Sequence, residues 1–177
     1  MKLVQWTRFS WDLARLPEIE PGLDPHYHIR PATRDEEKTV HDVIFSAFSL
    51  DMDWADTLKR LSRRFEGEID EVFSHKLHRE VHCLVITHGS RIIGASALEV
   101  GKESENHLIS GPAILNEYRN RGLGSELLYR SLLALREAGV EHAFGVTKSN
   151  VPAAKFIYPK FNSSNTPYDL ELQLVDS

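Results

Sequence analysis

The chain has 177 residues, 41% of them hydrophobic and 27% charged, with a formal net charge of -5. That length suits one domain burying roughly 70% of its unfolded surface, and the composition excludes intrinsic disorder, collagen and coiled coil. The 21 basic and 26 acidic residues are scattered along the chain, which argues against a general nucleic-acid binder, and no apolar run approaches the roughly 18 residues of a membrane helix.

Residues 1–25 mix Trp6, Phe9 and Trp11 with Pro17, Pro21, Gly22 and Pro25, which predicts an irregular arm packed on a domain spanning residues 26–177. Met1 to Phe9 lacks the apolar centre of a secretory signal, and the single cysteine, Cys83, cannot close an intrachain disulfide, so a cytoplasmic location is expected. Tyr27 to Ala32 reads as a first strand, followed by a capping box at Thr33 and Glu36. Val40, Val43, Ile44, Ala47 and Phe48 then form one helical stripe. A second helix is predicted from Asp51 or Asp53, carrying Trp54, Leu58, Leu61 and Phe65, and residues 66–80 read as a loop or short irregular helix.

Val81 to Thr87 and Arg91 to Val100, joined at Gly89-Ser90, have the pattern of a hairpin. Leu108 to Leu115 is a further apolar run, in which Gly111-Pro112 predicts a bulge or splayed edge, since proline cannot donate to a ladder. Leu123, Leu127, Leu128, Ser131, Leu132 and Leu135 follow helical spacing up to Gly139. A strand over Glu141 to Thr147, a short helix over Asn150 to Tyr158 and a last alternating strand over Tyr168 to Val175 complete the reading.

The chemistry points to Tyr118-Arg119-Asn120-Arg121-Gly122-Leu123-Gly124-Ser125, between an apolar strand and an apolar helix. Two glycines one residue apart let successive amides converge on an anion at the helix start, where the dipole favours phosphate. Arg119 and Arg121 add positive charge, so a diphosphate is the natural guest. The pattern is neither a P-loop nor a dinucleotide fingerprint. A tight strand-to-helix turn without a ligand satisfies the same residues.

Arg119-x-x-Gly122-x-Gly124 resembles the Arg/Gln-x-x-Gly-x-Gly/Ala signature of the GNAT acyltransferases, which use acetyl-CoA. Ile114 to Tyr118 resembles the lead-in to that signature, and Asn150, Ala153 and Tyr158 resemble the run on the family's following helix. The likeness covers residues 27–175, with its specific residues between 114 and 158. It implies an α+β fold of three α/β/α layers around a mixed, largely antiparallel sheet splayed at its middle strands.

By that resemblance the amides of Arg121, Gly122, Leu123, Gly124 and Ser125 would hold the CoA diphosphate. Ile114 and Leu115 would offer main-chain groups to pantetheine, Asn150 would bond the same arm, and Tyr158 would protonate the departing thiolate. A neutral amine of a small molecule or peptide would attack the thioester directly, with Glu99, His107 or Ser110 as candidate bases. Two departures stand out. Asn120 sits where many relatives carry glycine; Asn150 to Tyr158 spans eight positions where seven is commoner, and Pro159-Lys160-Phe161-Asn162 replaces the usual glycine-phenylalanine ending. One extra residue turns a helix by about 100°, which would bring Ile157 rather than Tyr158 to the reacting position.

His75, His78, His82 and Cys83 include zinc-binding residue types, but Val81 onward reads as a strand, so no metal is expected. Trp6, Trp11 and Trp54 could line an acceptor pocket by offering ring faces to a cation, although core packing is the better account of each. Neither a nucleic-acid nor a membrane partner is expected, and a homodimer is left open. Two rivals to catalysis fit the same residues: an acyl-CoA sensor without turnover, and an interaction protein that keeps only the fold.

Overall fold

The computed structural model of the protein describes residues 5–49 and 81–168. The helix expected from Asp51 or Asp53, the 66–80 segment and nearly all of the last strand expected over 168–175 lie outside the described residues.

A charged clamp starts the first helix. In β2 (Tyr27–Pro31), Arg30 grips the Glu36 carboxylate with both terminal nitrogens, at 2.7 and 3.0 Å, and the Thr33 N–H donates to the same group at 2.8 Å. The carboxylate thereby fixes the strand exit and the helix entry together, as the capping-box pattern predicts. In α1 (Glu37–Ser49), which follows, Val40, Val43, Ile44 and Ala47 are buried on one stripe.

β2, β3 (Val81–His88), β4 (Arg91–Glu99) and β5 (Ala113–Ile114) form an antiparallel sheet in that order. The β3–β4 hairpin turns at Gly89, whose φ of +59° suits a residue without a Cβ. Both α1 and α2 (Leu123–Glu137) pack on β4, which is why Ile92 to Leu98 are buried without alternation. All the positions read from the helical spacing of α2 are buried. Its one polar member, Ser131, donates from Oγ to the Leu127 carbonyl at 2.7 Å and lies 2.9 Å from Ser96 Oγ, so the hydroxyl enters the core with partners.

A second sheet places β1 (Trp6–Asp12) between β6 (His142–Lys148) and β7 (Ser164–Tyr168), antiparallel to both. The expected irregularity is thus corrected over residues 6–12: Phe9 and Trp11 point into the core at a two-residue period, and the prolines begin only after the strand has ended. The connection to β2 runs along α2. Tyr129 Oη donates to the Pro17 carbonyl (2.9 Å) and accepts from the Ile19 N–H (3.2 Å), and the Gly22 N–H donates to Glu126 Oε1 (3.3 Å). A short helix, α3 (Pro152–Phe156), follows β6. Among the described residues, no helix is long and apolar enough to cross a membrane.

The Arg30 bonds, followed by the Thr33 N–H, hold the Glu36 carboxyl down from 4.5 to about 2. A folded-state value below the unfolded one means that the stabilisation is complete above 4.5 and is lost as pH falls toward about 2. Urea denaturation is therefore expected to show Glu36→Gln less stable than the wild type at neutral pH, with the gap closing across that acidic window.

Candidate active site

Among the described residues, the main chains of the two sheets are joined through one short segment. The Phe144 carbonyl of β6 accepts from the His107 N–H (2.8 Å) and the Leu108 N–H (3.1 Å), while on the β4 side the Glu99 N–H donates to the His107 carbonyl (2.9 Å) and the Ile109 N–H to the Ala97 carbonyl (3.0 Å). Beyond this joint the sheets separate: β5 pairs with β4 through Ala113 and Ile114, and β6 pairs with β1. Gly111, at φ +61°, and Pro112 stand where the chain leaves the joint, at the position where the sequence predicts a splayed edge.

At the β5 end of this opening lies the glycine turn. Asn120 and Gly122 are both left-handed, at φ +63° and +76°, a conformation that asparagine adopts more readily than most residues with a Cβ. The first bond that closes the α2 ladder runs from the Glu126 N–H to the Gly122 carbonyl, and the amides of Leu123, Gly124 and Ser125 therefore precede any intrahelical partner. Lys160 adds a cation that the signature does not contain: its Nζ donates to Ser125 Oγ at 2.8 Å. It arrives on the turn after α3, where Phe161 and Asn162 are left-handed (φ +62° and +61°) and Trp11 Nε1 donates to the Lys160 carbonyl at 3.0 Å. That contact crosses 149 positions in Trp11's case and 35 in Ser125's, and no local pattern signals either.

The two arginines serve the scaffold. Arg119 donates from Nε to the Ile114 carbonyl at 3.3 Å and from Nη2 to the Ala47 carbonyl in the last turn of α1. Arg121 donates to Tyr27 Oη (3.1 Å) and the Glu117 carbonyl (3.3 Å), with its guanidinium 5.4 Å from the Tyr118 ring centre. Ile114 and Leu115 are buried, and the Leu115 N–H donates to the Ile93 carbonyl at 2.9 Å. Asn150 is exposed in the turn before α3.

Tyr158, rather than Ile157, faces inward. The Ile157 and Tyr158 N–H groups both donate to the Ala153 carbonyl, at 2.9 and 2.8 Å, so the last turn widens by one residue and absorbs the longer spacing. The Tyr158 ring is buried against Phe9 (5.3 Å between centres) and Trp11 (5.9 Å), and its hydroxyl abuts Gly111, where an added Cβ would lie 2.0 Å from the oxygen. Burial pushes the phenol well above the ordinary tyrosine value, so it stays protonated at neutral pH. Ile157 packs instead on Gly124, which has no room for a Cβ (2.8 Å to Ile157 Cδ1).

Two of the candidate bases are spent on the main chain. Ser110 Oγ accepts from the Ala97 N–H (2.9 Å) and donates to the Gly111 carbonyl (2.8 Å). His107 is fully buried, its Nδ1 accepts from the Phe144 N–H (3.0 Å), and its Nε2 is 2.9 Å from the Gly101 carbonyl. This pairing places the ring proton on Nε2, and burial lowers the affinity of the ring for a second proton. Glu99, at the end of β4, accepts from Ser104 Oγ at 3.0 Å. Of the histidine–cysteine group, His75 and His78 lie outside the described residues. His82 is exposed and Cys83 buried, so the two are not presented together, and burial pushes the Cys83 thiol up to about 12.

Comparison with known proteins places these features in a family. The model of the acetyltransferase (GNAT) family matches residues 44–160. Among solved structures, a GCN5-related N-acetyltransferase from Sphaerobacter thermophilus superposes with a TM-score of 0.59 at 13% identity, over 94% of this chain and 50% of its own. A GCN5-related N-acetyltransferase from Kribbella flavida gives 0.58 at 12% identity, over 92% and 55%, and a conserved protein of Staphylococcus epidermidis gives 0.61 at 15%, over 93% and 59%. At such identities the likeness is one of fold, and the chain spans only 50% to 59% of the length of these three proteins. No curated protein matches the chain.

The contact between Gly111 and Tyr158 generates a direct test. Gly111→Ala is expected to cost at least about 2 kcal/mol, from a strained left-handed residue plus the clash. Chemical denaturation measures it, and Gly89→Ala, left-handed in open space, is expected to cost less.

Proposed function

Because the chain belongs to the acetyltransferase (GNAT) family, we propose that it transfers an acetyl group from acetyl-CoA to a primary amine by direct attack. The observation that carries this reading is the left-handed turn at Gly122, which opens α2 beside the place where the sheets part. Its first-turn amides suit a diphosphate, and the nearby Lys160 ammonium shows that the turn already gathers positive charge. Arg119 then acts indirectly, tying α1 to the end of β5.

In this proposal the gap between β5 and β6 admits the thioester arm, with β5 main-chain groups bonding pantetheine as an added strand would and Asn150 contributing from the turn before α3. A β5 N–H stabilises the oxyanion. The amine nitrogen forms a bond to the carbonyl carbon and the carbon–sulfur bond breaks. Tyr158 passes its proton to the sulfur, and the amine gives up a proton to a base. With Ser110 and His107 committed to backbone partners, Glu99 is the base, acting through water. The acceptor is the amine of a small molecule or peptide, in a cytoplasmic setting.

The burial of Tyr158 favours one second reading, an acyl-CoA sensor without turnover. Free-thiol release from acetyl-CoA across an amine library separates the two: release dependent on an amine supports transfer, and binding without release supports sensing. Tyr158→Phe is expected to lower turnover by about tenfold or more while leaving acetyl-CoA affinity nearly unchanged. Lys160→Glu, at an exposed position, is expected to leave the unliganded melting temperature within a degree or so while weakening the stabilisation by acetyl-CoA, read as a smaller thermal shift.

A further inference from the structure

Strands of a sheet satisfy one another's peptide groups, and a strand with no neighbour on one side must find other partners. Along β6, the N–H groups of Phe144 and Val146 point away from β1, toward the gap between the sheets, and both are met by side chains. Phe144 donates to His107 Nδ1 at 3.0 Å and Val146 to Asn106 Oδ1 at 3.2 Å. We propose that Asn106 and His107 are positioning residues, whose side chains replace a strand along this edge of β6 and thereby set where the two sheets part.

The geometry supports a built junction rather than an incidental contact. His107 cannot turn away, because it is fully buried, its Nε2–H donates to the Gly101 carbonyl at 2.9 Å and its ring stacks on Phe144 with centres 5.8 Å apart. Asn106 is held in turn: its N–H donates to Ser104 Oγ (3.2 Å), and that hydroxyl donates to Glu99 Oε2 (3.0 Å) at the end of β4. A continuous chain of bonds therefore runs from β4 through Glu99, Ser104 and Asn106 to Val146 of β6. With those two amides satisfied by side chains, the main chain of residues 109–114 need not follow β6 and is free to follow β4 alone. The consequence for acetyl-CoA rests on the proposed acetyl transfer; the bonding itself does not.

The test compares Asn106→Ala, which removes the acceptor, with Asn106→Asp, which keeps an oxygen in its place. Two quantities are read: hydrogen exchange at the Val146 amide, and the dissociation constant of acetyl-CoA by calorimetry. Asn106→Ala is expected to speed exchange at Val146 and to weaken acetyl-CoA binding by about three- to tenfold, the ratio one lost hydrogen bond supplies. Asn106→Asp is expected to restore both. If Asn106→Ala does not fold, Asn106→Gln, whose oxygen is displaced by one methylene, takes its place in the comparison. Unchanged exchange at Val146, faster exchange with unaltered acetyl-CoA affinity, or failure of Asn106→Asp to restore either would each overturn the proposal. A wild-type protein that binds no acetyl-CoA sinks the acetyl-transfer reading before any variant is made, and exchange at the Val146 amide alone then decides the positioning role.

Discussion

The outward-facing peptide groups of β6 impose the constraint on which the molecule's shape depends. Phe144 is met by main chain and ring of the same residue, His107, and the joint extends no further than Leu108. Close packing reinforces it: Gly145 sits against the Leu108 side chain so closely that a Cβ would lie 2.8 Å from Leu108 Cδ1. A longer ladder would close the gap, whereas none would leave two sheets with no fixed angle between them. A contact of this length holds the halves together at one end and leaves the other available.

The wall behind Tyr158 comes from β1. Phe9 and Trp11 take one face of the tyrosine ring, and Trp11 reaches on to the Lys160 carbonyl. One strand therefore places two groups of opposite character: an uncharged phenol pressed toward Gly111, and an ammonium carried to the start of α2. The glycines at 111 and 124 are needed for distinct reasons. The first receives the Tyr158 hydroxyl and the second receives Ile157, so the residues on either side of the widened α3 turn are each matched by a missing Cβ.

What the sequence discloses follows the range of the interactions. The Thr33–Glu36 cap, the α1 and α2 stripes, the hairpin at Gly89 and the left-handed Asn120 are local, and each is legible in a few residues. The strand over residues 6–12 is hidden because only Phe9 and Trp11 carry its buried alternation, and the prolines that follow point to irregular chain. Arg119 carries the signature's charge, yet its scaffold role depends on the Ala47 carbonyl, 72 positions away. The inward turn of Tyr158 depends on two amides sharing one carbonyl, a choice that residue counting along a regular helix does not anticipate.

The placement of β1 bears on how the protein assembles. Its partners in β6 lie 130 positions downstream at Asp12↔His142 and 142 downstream at Trp6↔Lys148, and β7 is farther still. The middle of that sheet must therefore wait, unpaired and carrying Phe9 and Trp11, while the β2–β5 sheet and its helices can form from nearer contacts. During synthesis a ribosome would hold this half unfinished until both flanks had emerged, making it the half most in need of a chaperone.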